Sequence, residues 1–395
     1  MNKIARLLKT SAFLYTIYFY VVSAFLKFLG LFIPTNNKLI LFNCFGGKKY
    51  DDSPKAVYEF LIADKRFADC EFCWAISDPS GVTVPGRATV VKADTFKYFV
   101  TALKARVWVT NSSMERGLDF KKEKTFCLNT WHGTPIKVRG DDIKTDNQSF
   151  KGKVLVRADI MCAQSRYDVD VFSRAFRLPV SSLKITGLPR NDVLDSYTQD
   201  ERAAIRAKLG IPDDRIVLLY APTFREYTTG ESNEIVLDIP MDLKKWQADL
   251  DNRFTVLFRA HYEVARHMNV EGYPLFTDVS SYPDLNELMI ASDALITDYS
   301  SVCFDYAIMD KPMYCFAYDY DDYVSNRGMY IDLREEFPGT IHYDEDSLLE
   351  DILHYEESRD ELSRKTAEFR NRYVSEYGHG ASSCADILCE ELGLS

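Results

Sequence analysis

No acidic residue precedes Asp51, while Lys3, Arg6, Lys9, Lys27, Lys38, Lys48 and Lys49 all do. The whole chain still carries a net charge of −11, so everything after this stretch is strongly acidic. A broadly basic surface of the kind that holds nucleic acid is excluded, and no nucleic-acid partner is expected. There is no cysteine framework either. The nine cysteines are an odd number, and Cys70 and Cys73 form a lone CxxC with no second pair to complete a zinc site. Cys44, Cys162, Cys303 and Cys315 sit in apolar runs. They read as small buried thiols in a reducing cytoplasm. Repeats and low-complexity tracts are absent, and no glycine-rich P-loop or dinucleotide fingerprint marks the hydroxyl-rich turn at Thr297 to Ser301.

Uncharged runs are short as well. Ser11 to Leu26 is uncharged for 16 residues, Lys27 interrupts, and Phe28 to Ile33 is apolar again before Pro34. That falls short of the ~20 residues needed to span a bilayer. No small-residue cleavage site of a signal peptide follows it. Basic residues ahead of an aromatic-rich helix suit a segment lying in the interface of an anionic membrane surface. A helix docked on the protein's own surface is the alternative.

What is present is enough for two domains, each with its own core, in 395 residues that are 46% hydrophobic. From Lys38 onward, apolar runs alternate with helical patterns. Strands are expected at Leu39–Asn43, Glu71–Ile76, Ala88–Val91, Val107–Thr110, Thr125–Asn129 and Asp159–Ala163. Helical stretches fall between them at Pro54–Asp64, Thr95–Lys104 and Tyr167–Ala175. After the charged helix Asp200–Leu209, a second strand set follows at Ile216–Tyr220, Thr255–Arg259, Ala294–Thr297 and Met313–Phe316. Such alternation means βα units and largely parallel sheets. The turn-rich break at Pro189-Arg190-Asn191-Asp192 places the boundary near Leu194 to Gln199. The expectation is an α/β chain of two doubly wound, Rossmann-like domains facing each other across a cleft. Residues 1–35 form the apolar, basic segment, 36–196 the first domain and 197–375 the second, while 376–395 form a C-terminal helix that returns to brace the first.

Five clusters sit at strand-to-loop junctions. Thr297-Asp298-Tyr299-Ser300-Ser301 ends an apolar strand and opens a helical pattern (Val302, Phe304, Ala307, Ile308), which aims backbone N–H groups and small hydroxyls at the point where α/β sheets bind phosphates. Taken alone it reads as a Ser/Asp cap on an ordinary helix, and the other clusters are what overturn that reading. Asn129-Thr130-Trp131-His132-Gly133-Thr134-Pro135 follows a strand of the first domain, and its histidine can take a proton at neutral pH. Gly187-Leu188-Pro189-Arg190-Asn191-Asp192 offers Arg190 and Asn191 as donors. Tyr220-Ala221-Pro222-Thr223-Phe224-Arg225 offers Arg225, a planar, permanently charged clamp for phosphate oxygens. In Phe258-Arg259-Ala260-His261, Arg259 and His261 alternate and so project from one side of the chain. For each arginine a surface ion pair is the competing reading, and for each histidine a satisfied structural role. No carboxylate cluster of metal-ligand spacing lies near the motifs, so neither metal nor cofactor is expected.

In sequence order these clusters resemble the CDP-glycerol glycerophosphotransferase family of wall teichoic acid and capsule synthesis. The matching elements are WHGTP at 131–135, the Ser165/Tyr167/Phe172 segment with Ala175-Phe176, GLPRND at 187–192, LYAPTFR at 219–225, RAH at 259–261, ITDYSSVCFDYA at 296–307 and RGMY at 327–330. They cover roughly 38 to 376, and the chain's length and apolar start look like the short, primer-type members. The resemblance implies a GT-B fold, with acceptor bound by the first domain and a CDP-activated polyol phosphate by the second. Transfer would be metal-independent, at the cytoplasmic face of the bacterial membrane. The implied partners are CDP-glycerol or CDP-ribitol and an undecaprenyl-diphosphate-linked saccharide acceptor. His132 would be the general base, and His261 would meet the donor diphosphate. Thr297, Asp298, Ser300, Ser301, Arg259, Arg225, Arg190 and Asp305 would complete the donor side. Two positions depart from the pattern: the strand end Arg259-Ala260-His261-Tyr262 lacks an expected proline, and Leu188 replaces an aromatic.

Overall fold

The structure is a computed structural model, and it describes residues 12–143, 156–223, 241–260, 270 and 272–394. The chain divides into two compact units. One holds the chain through His132, Arg139–Asp192 and everything from Glu376; the other holds Gly133–Val138 and Val193–Ser375.

The first unit is built on a parallel sheet of β1 (Asn36–Asn43), β2 (Glu71–Ile76), β3 (Thr89–Lys92), β4 (Ala105–Thr110), β5 (Phe126–Asn129), β6 (Ile160–Ala163) and β7 (Leu183–Ile185), in the order β3-β2-β1-β4-β5-β6-β7. The second carries β8 (Ile216–Tyr220), β9 (Phe254–Phe258), β10 (Phe276–Asp278), β11 (Ala294–Thr297), β12 (Met313–Phe316) and β13 (Ile341–His342), in the order β10-β9-β8-β11-β12-β13. Each sheet therefore reverses direction once, between β1 and β4 and between β8 and β11. That reversal is where an open α/β sheet leaves a crevice outside its strand ends.

The central strands read as unbroken apolar runs because both faces are covered: Ile40, Leu41 and Phe42 are all fully buried, as are Val217, Leu218 and Leu219. The strands that the sequence does not reveal are β7, β10 and β13. Each is an edge strand of two or three residues, too short to leave a periodicity. Helix starts are set by side-chain caps. Thr95 Oγ1 accepts from Tyr98 N at 3.2 Å, and Thr198 with Glu201 forms a reciprocal capping box at the helix Gln199–Lys208.

All nine cysteines are free and buried. Cys70 packs with Phe42, Tyr58 and Trp74, while Cys73 joins Leu41, Tyr98 and Trp108 in a different cluster. Two thiols in separate cores cannot share a metal. The C-terminal helix Gly380–Leu392 belongs to the first unit. The N–H groups of Gly380 and Ala381 donate to the Asp192 carboxylate at 2.7 and 2.8 Å, and Cys384 and Leu388 enter the core beside Tyr58.

The apolar N-terminal segment forms a helix, Ala12–Phe32, whose 21 residues are longer than the uncharged run. By length and composition Phe13–Phe32 could cross a membrane. One face is nonetheless docked on the first unit. Leu26 is buried with Leu39 and Trp108, the Tyr15 hydroxyl donates to Gly117 O at 2.9 Å, and Asp119 N donates to Ser23 Oγ at 3.0 Å. Lys27 reaches Asp119 at 2.6 Å, so the charge that interrupts the run is neutralised within the fold. The opposite face leaves Phe13, Phe28, Leu31 and Phe32 60–79% exposed.

Candidate functional site

At the direction change of the first sheet, the loops after β1, β4 and β5 converge. Asn43, Thr110 and Asn129 stand in register at the three strand ends. Asn111 receives the Phe45 N–H on its side-chain oxygen at 2.8 Å, and Gly46 N donates to Ser112 Oγ at 3.1 Å. Asn129 Nδ2 donates to Ser112 O at 3.0 Å, and its Oδ1 accepts from Trp131 N at 2.9 Å. These bonds hold Trp131 at φ +54, a left-handed backbone that a bulky side chain rarely adopts. The indole then lies 4.7 Å from the Phe176 ring and 5.6 Å from Phe172, within the helix Arg166–Phe176. The indole also lies against the next side chain, with ring centroids 4.2 Å apart. Strain of this kind persists only where its surroundings over-determine it, and it clusters at functional sites.

That next side chain is His132. Its Nδ1 lies 2.8 Å from Asn111 O. A carbonyl can only accept, so in the neutral ring Nδ1 carries the proton and Nε2 carries the lone pair. Burial pushes the imidazole below its ordinary value, and Arg190 and Arg139 push the same way. The carbonyl bond and Asp52 oppose them. The ring is therefore held neutral, with one nitrogen ready to accept a proton. Arg190, expected on the donor side, stands in this first unit. Its Nη1 pairs with Asp52 at 3.0 Å, both side chains being nearly buried, and its backbone N donates to Ser53 Oγ at 3.3 Å. Asp52 itself holds φ +59 at the start of the helix Asp52–Ala63.

In the second unit, the loops after β8 and β11 meet at the sheet's direction change. Ala221 N donates to Ile296 O at 2.9 Å, and Thr297 Oγ1 donates to Ala221 O at 2.9 Å. The Asp298 carboxylate accepts from Thr223 N at 2.9 and 3.0 Å and from Tyr299 N at 2.6 Å. Tyr299 is buried, stacks on Tyr323 at 4.0 Å and donates to Asp319 at 2.9 Å. Thr297, Asp298 and Asp305 are also buried. Ser300 and Ser301 are half-buried and lead into the short helix Val302–Ala307. The expected donor set thus divides: Thr297 and Asp298 build the turn, and Ser300 and Ser301 are its half-buried tip.

Arg259 also has a structural partner. Its Nη1 donates to Val279 O at 2.9 Å and to Tyr282 O, stapling the loop that follows β10. Arg225 and His261 lie outside the described residues. Among the described residues no group of three or more His, Cys, Asp or Glu is arranged to hold a metal ion. Sequence reasoning did not single out Asn111, which fixes the His132 tautomer, or Asp52, which holds Arg190. Both carried the same signal as the others, a polar residue directly after an apolar strand or at the start of a helix.

Comparison with known proteins joins these observations. The sequence model of the CDP-Glycerol:Poly(glycerophosphate) glycerophosphotransferase family matches residues 25–385. The teichoic acid poly(glycerol phosphate) polymerase of Staphylococcus epidermidis is 32% identical over 369 residues, 90% of this chain. The chain spans about half, 51%, of that polymerase's length. The teichoic acid glycerol-phosphate transferase of Staphylococcus aureus is 31% identical over 353 residues, 86% of this chain and 90% of the relative. The solved structure of the wall teichoic acid polymerase TagF superposes with a TM-score of 0.86 at 30% identity, covering 100% of this chain and 99% of that one. The two parallel-sheet α/β units thus have the GT-B-like fold of TagF, and the chain belongs to the CDP-glycerol:poly(glycerophosphate) glycerophosphotransferase family.

Proposed function

We propose that this protein transfers glycerol phosphate from CDP-glycerol to a hydroxyl of a lipid-linked acceptor in teichoic acid synthesis. The observation that carries the reading is the Nδ1 contact of His132 with Asn111 O, which leaves Nε2 as a proton acceptor on a ring that burial keeps neutral. The acceptor hydroxyl gives its proton to Nε2 as its oxygen attacks the phosphorus that bears glycerol. The bond from that phosphorus to the bridging oxygen breaks, and CMP leaves with the electron pair. Phosphoryl transfer asks chiefly for positioning and for charge stabilisation around the departing oxygens. Ser300 and Ser301 are assigned to the donor phosphates, with His261 on the leaving group and Arg225 beside it. Arg190 is assigned instead to the His132 side, because it pairs with Asp52 there.

The polyol and the acceptor belong to the same proposal. CDP-glycerol is favoured over CDP-ribitol because the S. aureus relative that this chain spans nearly end to end is a glycerol-phosphate transferase. The acceptor is an undecaprenyl-diphosphate-linked saccharide or its polyol-phosphate extension, met at the cytoplasmic face of the membrane. Attachment to that anionic surface is assigned to the outward face of the helix Ala12–Phe32, where Phe28, Leu31 and Phe32 are exposed.

CMP release and product mass, followed with each CDP-polyol and a lipid-linked disaccharide, test the reading for wild type and His132→Ala. Acceptor-dependent CMP release with one glycerol phosphate added, both lost in the variant, is the expected result. Turnover with CDP-ribitol alone would replace the substrate, and full activity of the variant would remove His132 as base.

A further inference from the structure

A cavity of about 260 Å³ lies within the second unit, lined by Tyr197, Arg202, Asp293, Lys311, Tyr355 and Arg359 among others. Asp293 stands directly before β11, and Lys311 with Pro312 directly before β12, whereas Thr297 to Ser301 follow β11. The cavity is therefore at the opposite end of these strands from the phosphate-binding turn, and the transfer described above uses none of its residues. Arg202 and Arg206, on the helix Gln199–Lys208, both pair with Asp293, which also accepts from Val217 N at 2.8 Å. Lys311 Nζ donates to Ser292 O at 2.7 Å and to Ile290 O at 3.1 Å, at the C-terminal end of the helix Leu285–Ala291. It also lies 5.3 Å from the Tyr197 ring centroid. At the rim, Arg359 meets Glu356 at 3.3 Å and Asp360 at 3.5 Å, so its charge is offset locally.

We propose that this cavity binds a small phosphate-bearing anion, inorganic phosphate or a phosphomonoester, at a site separate from the Thr297–Ser301 turn. Three cations, Arg202, Arg206 and Lys311, gather around the single carboxylate of Asp293, a net charge of +2 when the lysine is protonated. Burial lowers the Lys311 ammonium to about 7; Arg202 and Arg206 push the same way, and Asp293 opposes them. A dianion in the cavity would supply the missing negative charge and draw the lysine back to its protonated form. Guanidinium and ammonium donors suit phosphate oxygens. Burial holds the Tyr197 hydroxyl above its ordinary value and lifts that of Tyr355 to about 12, so both stay protonated and able to donate. The volume is smaller than the roughly 300–1,000 Å³ of sites that enclose drug-sized ligands. It is too small for a whole nucleotide and large enough for phosphate or a glycerol-sized ester.

Isothermal titration calorimetry at constant ionic strength tests this with inorganic phosphate and with glycerol phosphate. The proteins are wild type, Lys311→Gln, Ser363→Glu and the double variant Ser300→Ala/Ser301→Ala. Ser363 lines the cavity from the helix Tyr355–Tyr373. Ser363→Glu places a carboxylate there while leaving every contact named above in place, which keeps the test open where Lys311→Gln folds poorly. The expected result is saturable one-to-one binding by wild type and by the serine double variant. In Lys311→Gln and Ser363→Glu it weakens by about tenfold or more, the loss expected when a hydrogen bond between charged groups is removed. Tighter binding of glycerol phosphate assigns the site to a phosphomonoester, and tighter binding of inorganic phosphate assigns it to the free anion. Absence of saturable heat from wild type with either anion overturns the proposal, as does unweakened binding in both cavity variants. Binding that disappears in the serine double variant and persists in the cavity variants places the anion on the Thr297–Ser301 turn, which also overturns it.

Discussion

Replacing Asp298 with asparagine separates a residue that builds the donor turn from one that touches the donor. The carboxylate is 2% exposed and accepts from two N–H groups, that of Thr223 shared between both oxygens and that of Tyr299 on Oδ1. Asparagine keeps the size but turns one oxygen into an amide nitrogen facing a backbone donor. Hydrogen bonds to a charged group contribute about 1.5–3 kcal/mol each, and an orphaned buried donor costs a similar amount. Oδ1 still serves both backbone donors, but the charge is lost and the new amide N–H is set against the Thr223 N–H, so roughly 3 kcal/mol of local stability goes with the change. For a unit of this size each kcal/mol corresponds to about 2–4 °C, so the transition drops by roughly 6–12 °C. Thermal unfolding followed by circular dichroism reads the loss directly. CDP-glycerol binding, measured by calorimetry well below the transition, should weaken by less than about tenfold, or 1.4 kcal/mol. An unchanged transition with donor binding abolished would refute the reasoning, because Asp298 would then be meeting the ligand rather than holding Thr223 and Tyr299.

Other perturbations separate scaffold from chemistry elsewhere in the chain. His132→Gln lowers kcat/KM by about 10²–10⁴ while CDP-glycerol binding persists, the range expected for loss of a general base. In wild type the acid limb of kcat/KM lies below the ordinary imidazole value of about 6.5, because burial disfavours the imidazolium and the neutral base survives to lower pH; a limb above that value would contradict the buried, neutral ring. Asp293→Ala strands Arg206, which is nearly buried, together with Arg202, so unfolding free energy falls by about 3 kcal/mol. Glu368→Ala, at an exposed i,i+4 pair with Arg364, changes stability by no more than about 0.5 kcal/mol by the same assay. Phe28→Asp with Leu31→Asp reduces sedimentation with anionic vesicles and leaves the thermal transition near wild type, since both side chains face outward; undiminished sedimentation would move the contact elsewhere.

Much of the scaffold was legible because buried parallel strands are apolar without interruption. Glu71–Ile76, Ile216–Tyr220, Ala294–Thr297 and Met313–Phe316 begin and end where those runs do. Leu183–Ile185 and Ile341–His342 carry no such signature, since an edge strand of two or three residues is defined by its neighbour's hydrogen bonds rather than by its own pattern. The N-terminal helix shows a further limit. A run interrupted by Lys27 reads as too short, yet the lysine is absorbed by Asp119, 92 residues away, and the helix continues past it.

The site shows why position in the chain is a weaker guide than partnership. A polar residue at a strand end has two uses: to hold its turn, or to face what the turn surrounds. Thr297, Asp298 and Arg259 bond to backbone groups of neighbouring loops, and Ser300 and Ser301 form the tip that those bonds support. No feature of the local sequence distinguishes the two uses, because the deciding partner is remote. Arg190 is the sharpest instance. Its place within GLPRND suggests a donor clamp, and its structural partner is Asp52, 138 residues earlier. Desolvation, with Arg190 pushing the same way and Asp52 opposing, favours the neutral ring, which is the state a base needs before the hydroxyl arrives.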